Sequence, residues 1–254
     1  MTLEAALRTR LKNRDILLMT HIVLGYPSFA VNEEVIAAMV ANGVDCIEMQ
    51  IPFSEPMADG PVILKANQES IAAGTTVADC LAFAATMTSR HALPFLFMTY
   101  YNIIFKYGEE HFFDQCQQAG IQGLIVPDLP PEMGADFFRM AHQRQIAPIL
   151  IFAPTSTDER MGELNHSAAG FIYCTARRGV TGKKSEFGEE FSDYLRRCRA
   201  ATSLPLAVGF GIRDRSDVAA ICGKADMAVI GSETIRLVDE QGPDAVGPFI
   251  AGLR

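Results

Sequence analysis

Two carboxylates and two glycine-rich turns are the residues of this chain whose types and spacing suit chemistry. The run Cys46-Ile47-Glu48-Met49-Gln50-Ile51 alternates, so Ile47, Met49 and Ile51 share one face of an extended segment and Cys46, Glu48 and Gln50 share the other. A carboxylate on an inward face is costly unless it is paired, hydrated or used. Partial burial is expected to raise its pKa and suit it to general acid or base work near neutrality. The plainer alternative is an interior Glu paired with a basic neighbour. Asp59 stands in Ser54-Glu55-Pro56-Met57-Ala58-Asp59-Gly60-Pro61, just ahead of a helical pattern that begins at Val62. It reads either as turn or cap chemistry or as an acceptor for a substrate donor. Gly209-Phe210-Gly211-Ile212 and Gly231-Ser232-Glu233 each follow an apolar run. Glycine lets backbone N–H groups approach an anion, and a helix start adds unpaired donors, so a phosphate is the expected ligand. Arg177-Arg178-Gly179-Val180-Thr181-Gly182-Lys183-Lys184 is either a solvated basic loop or a lid that excludes water on closing. Tyr173 reads as a core or cavity-lining tyrosine, His21 as a satisfied structural histidine, and Asp128 as a loop-start acid in a turn or network.

These residues need a scaffold that brings distant segments together. Short apolar runs at 16–24, 45–51, 95–99, 123–126, 148–152, 170–174, 205–208 and 227–230 read as strands. Helical patterns fall at 31–42, 62–73, 77–89, 109–119, 132–143, 158–165, 189–201, 214–222 and 244–253, and Asp158 and Asp214 look like start signals. Another helix opens at Ser232, and Leu3, Leu7 and Leu11 with Thr2 as cap predict an N-terminal one. Strand then helix, eight times in about 250 residues, is the pattern of an α/β chain folded as a (β/α)8 TIM barrel, here one domain over 1–254 with extra helices in its βα loops. The rival open doubly wound sheet would want G-x-G-x-x-G after its first strand, where this chain has Gly25-Tyr26-Pro27-Ser28. In a barrel the site lies at the strand C-terminal ends, which gathers Glu48, Asp59, Tyr173 and both glycine turns. Two long loops, 52–60 and 175–188, rise from that end.

Composition removes other classes. With 254 residues, 49% hydrophobic and 20% charged, the chain is too apolar to be disordered. Its net charge of −8 disfavours nucleic acid and anionic membrane as general partners, though not one small anion in a local site. The six cysteines form no C-x-x-C pair and no His sits at zinc spacing, so no metal is expected and the thiols read as small buried hydrophobes. No apolar run approaches the roughly 18 residues of a membrane span. With no leader-like N-terminus, a cytoplasmic location is expected.

Five segments carry a family resemblance over essentially the whole chain. They are Gly43-Val44-Asp45-Cys46-Ile47-Glu48, the run from Ile51-Pro52-Phe53 through Asp59-Gly60-Pro61, Gly123-Leu124-Ile125-Val126-Pro127-Asp128-Leu129-Pro130, Arg177-Arg178-Gly179-Val180-Thr181-Gly182, and Gly209-Phe210-Gly211-Ile212. The chain thereby resembles the tryptophan synthase alpha subunit family. The resemblance implies retro-aldol cleavage of indole-3-glycerol phosphate to indole and glyceraldehyde 3-phosphate, a step of tryptophan biosynthesis. It implies no metal or organic cofactor in this subunit, and a beta subunit containing pyridoxal phosphate as partner in an alpha2beta2 complex. The family's catalytic glutamate and aspartate match Glu48 and Asp59, and its active-site tyrosine matches Tyr173. Its phosphate contacts match Gly182, Gly211, Gly231 and Ser232. Thr181 falls in the matching lid, and Phe210 and Tyr100 match pocket-lining positions. Four positions depart from the usual pattern. Gln50 replaces a Gly, Glu55 an Asp, His21 a residue that is commonly aromatic, and Glu233 a small residue after the phosphate-site Ser. Gln50 and His21 bear on the indole pocket, and Glu55 on the beta-subunit contact. The alternatives are a stand-alone indole-releasing lyase and a weakly catalytic phosphate-binding regulator of the beta subunit.

Overall fold

Eight strands, each buried on both faces, close the centre of the molecule. They are β1 (Leu17–Val23), β2 (Cys46–Gln50), β3 (Phe95–Met98), β4 (Gly123–Ile125), β5 (Ala147–Phe152), β6 (Ile172–Thr175), β7 (Leu206–Gly209) and β8 (Met227–Ile230). In the computed structural model, which describes residues 1–175, 188–209 and 211–254, all pair in parallel and in sequence order, and β8 returns to β1. The TIM barrel expected from the strand–helix alternation is what forms. Parallel strands covered by helices need apolar residues on both faces, which is why these segments are almost continuously apolar.

The helices are α1 (Leu3–Leu11), α2 (Phe29–Ala41), α3 (Pro61–Ala72), α4 (Val77–Arg90), α5 (Tyr101–Tyr107), α6 (Glu109–Gln118), α7 (Ala135–Gln143), α8 (Asp158–Ser167), α9 (Glu189–Ala201), α10 (Arg215–Ile221), α11 (Ser232–Gln241) and α12 (Val246–Ala251). Among the described residues no single helix is long and apolar enough to cross a membrane. The expected segment 132–143 divides into a tight turn, Pro131–Met133, and α7, with Gly134 between them. The segment 244–253 likewise begins as a tight turn, Pro243–Ala245, ahead of α12. The α8 cap is Thr157 rather than Asp158, its hydroxyl accepting from Arg160 N–H at 3.2 Å. Asp214 caps α10 as expected. The short helix α5, rich in aromatic and β-branched residues, carries no periodic signal and was not expected.

Alternation sorts the strand side chains into two cores. Ile47, Met49, Phe95, Phe97, Leu206 and Val208 pack outward against the helices. Leu17, Met19, Cys46, Leu96, Met98, Ile149, Met227 and Val229 fill the barrel interior. Helix α1 closes the foot of the barrel. Thr2 caps it, and Leu3 and Leu7 join the interior cluster. Leu3 lies so close to Gly123 and Gly170 that an added Cβ would stand 3.1 and 2.7 Å from its Cδ2. Beside it the buried Asp45 faces Arg10, Arg14 and Arg254. Such a charge is tolerable only when paired. The foot is therefore apolar, plugged and pinned, which leaves the strand C-terminal ends as the open side.

Candidate active site

Glu48 and His21 are direct partners across the β1–β2 ladder. Parallel register and shared inward orientation bring His21 Nδ1 to 2.9 Å from Glu48 Oε1, with both residues only 4% exposed. Glu48 Oε2 and His21 Nε2 are buried and make no hydrogen bond among the described residues. Burial pulls the His21 imidazolium below its ordinary value. The charge and hydrogen bond of Glu48, aided by Asp59 and Gln50, more than offset this and move it upward. The sequence-level reading of His21 as a satisfied structural residue is thus corrected: only one of its two nitrogens is satisfied.

One step further along β2, on the same face, Gln50 reaches Asp59. Its Nε2 donates to Asp59 Oδ2 at 2.7 Å and lies 3.4 Å from Asn67 Oδ1. Asp59 comes from the loop after β2, immediately before Gly60 caps α3 and Pro61 begins it. The loop is also held by Tyr100, at the end of β3. The Tyr100 hydroxyl accepts from Ala58 N–H at 3.1 Å and donates to Asp59 Oδ2 at 3.4 Å. Phe53 stacks on the Tyr100 ring with centroids 4.9 Å apart, and Asn67 Oδ1 accepts from Phe53 N–H at 2.9 Å. Burial raises the Asp59 pKa and the Glu48 charge adds to it, while Gln50, His21 and Tyr100 oppose. Asp128 does the network work expected of it: its carboxylate accepts from Tyr101 N–H at 2.9 and 3.1 Å, fixing the start of α5 just beyond Tyr100.

Tyr173 faces the carboxylates from β6. Burial, reinforced by the charges of Glu48 and Asp59, pushes its phenol well above the ordinary value, so it stays a neutral hydroxyl. A Cβ on Gly209 of neighbouring β7 would lie 2.1 Å from the Tyr173 hydroxyl oxygen, so glycine there is what gives the ring its place.

The same cleft is also lined by Gly211, Gly231 and Ser232. Gly211 has φ +108°, a conformation that favours glycine. Gly231 occupies the cap position of α11 and brings no side-chain oxygen to the first turn, whose N–H groups are free of a side-chain cap. Glu233 in that turn is paired with Arg236 one turn on. A fixed anion site of backbone donors is what such a turn can supply. Met98, Ile125, Ile151 and Val229 line the same cleft, an apolar surface suited to a flat ring. Two carboxylates, an apolar lining and anion donors in one cleft can handle protons on a substrate that joins an aromatic ring to a phosphate.

Glu48, Asp59, Tyr173, Gly211, Gly231 and Ser232 therefore line one cleft, and Tyr100 supports it through Asp59. Thr181, Gly182 and Phe210 lie outside the described residues. Among the described residues no group of three or more His, Cys, Asp or Glu is arranged to hold a metal ion. Sequence reasoning missed the direct contacts of His21 and Gln50 with the two carboxylates. For Gln50 a signal was present, since it shares the Glu48 face of β2.

Residues 7–246 match the family model described as tryptophan synthase alpha chain. The tryptophan synthase alpha chain of Desulfotalea psychrophila is 72% identical over 254 residues, covering 100% of both chains. A solved structure of Mycobacterium tuberculosis tryptophan synthase superposes with a TM-score of 0.92 at 30% identity, covering 99% of this chain and 96% of that one. A tryptophan synthase complex from Pyrococcus furiosus superposes with a TM-score of 0.85 at 26% identity, covering 93% and 97%. With its barrel and nearly all of its length in agreement, the chain belongs to the tryptophan synthase alpha chain family.

Proposed function

We propose that this chain cleaves indole-3-glycerol phosphate to indole and glyceraldehyde 3-phosphate, with Glu48 as the proton-handling group and Asp59 as the acceptor for the indole N–H. One observation carries the assignment of roles: the two carboxylates share a cleft but are held by different partners, Glu48 by His21 and Asp59 by Gln50 and Tyr100. Glu48 delivers a proton to indole C3, and the ring nitrogen becomes electron-poor. Asp59 stabilises the positive charge that develops there. The side-chain hydroxyl then gives its proton back to Glu48, its O–H electron pair becomes the aldehyde C=O, and the carbon–carbon bond electrons return to the ring. Protons and electrons balance with no oxidant, which supports a reaction that uses no cofactor in this chain. Tyr173 offers a neutral hydroxyl to the substrate. Gly211, Gly231 and Ser232, with Thr181, Gly182 and Phe210 from outside the described residues, hold the phosphate end and the pocket rim, fixing the scissile bond near Glu48.

In this reading the chain is one cytoplasmic barrel domain that docks on a beta subunit carrying pyridoxal phosphate, in an alpha2beta2 complex, and passes indole to it. The test is indole release from indole-3-glycerol phosphate by the purified chain, with and without a tryptophan synthase beta subunit. Because the chain has no Trp, substrate binding is read directly from indole fluorescence against a tyrosine background. Cleavage that accelerates on adding the partner is expected. No cleavage under either condition would overturn the assignment, and full turnover alone with no gain would make the chain a stand-alone lyase.

Gly209→Ala tests the Tyr173 site. Overpacking of this kind costs about 1–3 kcal/mol. At about 2–4 °C per kcal/mol for a chain approaching this size, the unfolding midpoint should fall by several degrees. Displacement of Tyr173 should also lower kcat/KM by about tenfold or more. A variant with unchanged melting and kinetics would show that Tyr173 does not need the space.

A further inference from the structure

The cleft holds a further ionisable side chain at a position to which the family resemblance gives a pocket-lining place but no part in proton handling. His21 lies directly across the ladder from Glu48, Nδ1 is 2.9 Å from Oε1, and both side chains are 6% exposed. A histidine kept for structure uses both ring nitrogens, because a buried polar atom without a partner is costly. Here His21 Nε2 and Glu48 Oε2 are both buried and, among the described residues, both unpartnered, and both residues line the cleft. The pair is therefore bonded to itself through Nδ1 and Oε1, beside the cleft that both residues line.

We propose that His21 is a positioning residue for Glu48: its Nδ1–H holds Oε1, so that Oε2 is the oxygen that meets the substrate, and the two side chains share the proton that the indole ring receives. This rests on the cleavage proposed above. In the working form Nδ1–H donates to Oε1 and the acidic proton is on Oε2. That proton forms the C3–H bond and leaves a carboxylate, which the Nδ1–H bond stabilises. Oε2 then takes the hydroxyl proton as the C=O forms and the carbon–carbon bond breaks, so the pair ends with the proton it began with. The groups facing His21 are Glu48 and Gln50 from β2 and Asp59 from the loop above, with Tyr173 across the cleft beside the carboxylates. The two acids favour a retained proton on the pair, and its loss at higher pH removes the acid form. The proton belongs to the pair rather than to either residue.

The experiment compares the full chain with His21→Asn and His21→Phe. Asn keeps a donor near the Nδ1 position and cannot titrate. It should retain kcat within about threefold, while the alkaline limb of the kcat profile moves to lower pH because the imidazolium form no longer shares the proton. Phe removes the donor as well and should lower kcat by about tenfold or more with KM within about threefold. If both variants keep the unsubstituted kcat and alkaline limb, the proposal is overturned. A second measurement needs no turnover. The His21 imidazole, one of five in the chain, is assigned by NMR from the resonance lost in His21→Asn. It should titrate above the ordinary histidine value in the unsubstituted chain and below that position in Glu48→Gln. An unchanged titration in Glu48→Gln overturns the pairing even if the chain cleaves its substrate normally. The expected shift in a chain that releases no indole would sustain the pairing and count against the cleavage instead.

Discussion

Glu48→Gln should lower the rate constant for indole release by about 10²–10⁴-fold, the range removed with a positioned acid–base group. The substitution keeps shape and an Oε1 acceptor for His21 Nδ1–H, so KM should stay within about threefold, as for an interaction made chiefly in the transition state. Stability should move the other way. Glu48 is 4% exposed with one carboxylate oxygen unpartnered among the described residues, a buried polar group that the proposed cleavage uses and the fold does not need. Its neutral isostere should melt at or above the temperature of the unsubstituted chain, a common signature of functional polar groups. Single-turnover kinetics and thermal unfolding check the two halves separately. Cleavage unchanged in Glu48→Gln would remove the proton-handling role and favour a chain that regulates its partner.

How far this site could be read beforehand depended on where its determinants lie. Glu48 was legible because polar and apolar residues alternate along β2, and that local pattern points the carboxylate inward. On β1 the pattern is lost: Leu17–Val23 is apolar on both faces, as a covered parallel strand must be, so nothing local shows that His21 points inward. Its pairing with Glu48 also requires the register of two strands whose partners are 27 positions apart in sequence. Asp59 was ambiguous for a related reason. Its neighbours Gly60 and Pro61 do start α3, so the turn reading was correct. What the sequence does not show is that the loop folds back over the end of β2 until Gln50 and Tyr100 reach Asp59, the contacts on which its proposed role rests. The barrel came through almost whole because strand and helix periodicities are local. The breaks at Gly134 and before Val246 and the short helix α5 did not, because tertiary packing decides them.

Asp59→Asn should cost about 10²–10³ in kcat, comparable to removing one fixed electrostatic partner of a developing charge. The geometry explains why the amide cannot substitute. Gln50 Nε2–H and the Tyr100 hydroxyl both donate to Oδ2, at 2.7 and 3.4 Å. An asparagine must turn its oxygen to those donors, and its NH2 then meets the substrate's own N–H donor where a carboxylate oxygen had been. The change therefore reverses a hydrogen bond as well as removing a charge, and substrate binding should weaken alongside turnover. The same contacts set the acid side of the pH profile. Asp59 is raised by burial and by Glu48, and the Gln50 hydrogen bond is the strongest force opposing them. Gln50→Leu removes that bond, so Asp59 holds its proton to higher pH and the acid limb of kcat/KM should move upward. The double variant Gln50→Leu with Asp59→Asn should lose less than the sum of the two singles, because Gln50 acts through the carboxylate that Asp59→Asn has already removed. Additive losses and an unmoved acid limb would show instead that Gln50 shapes the pocket independently of Asp59.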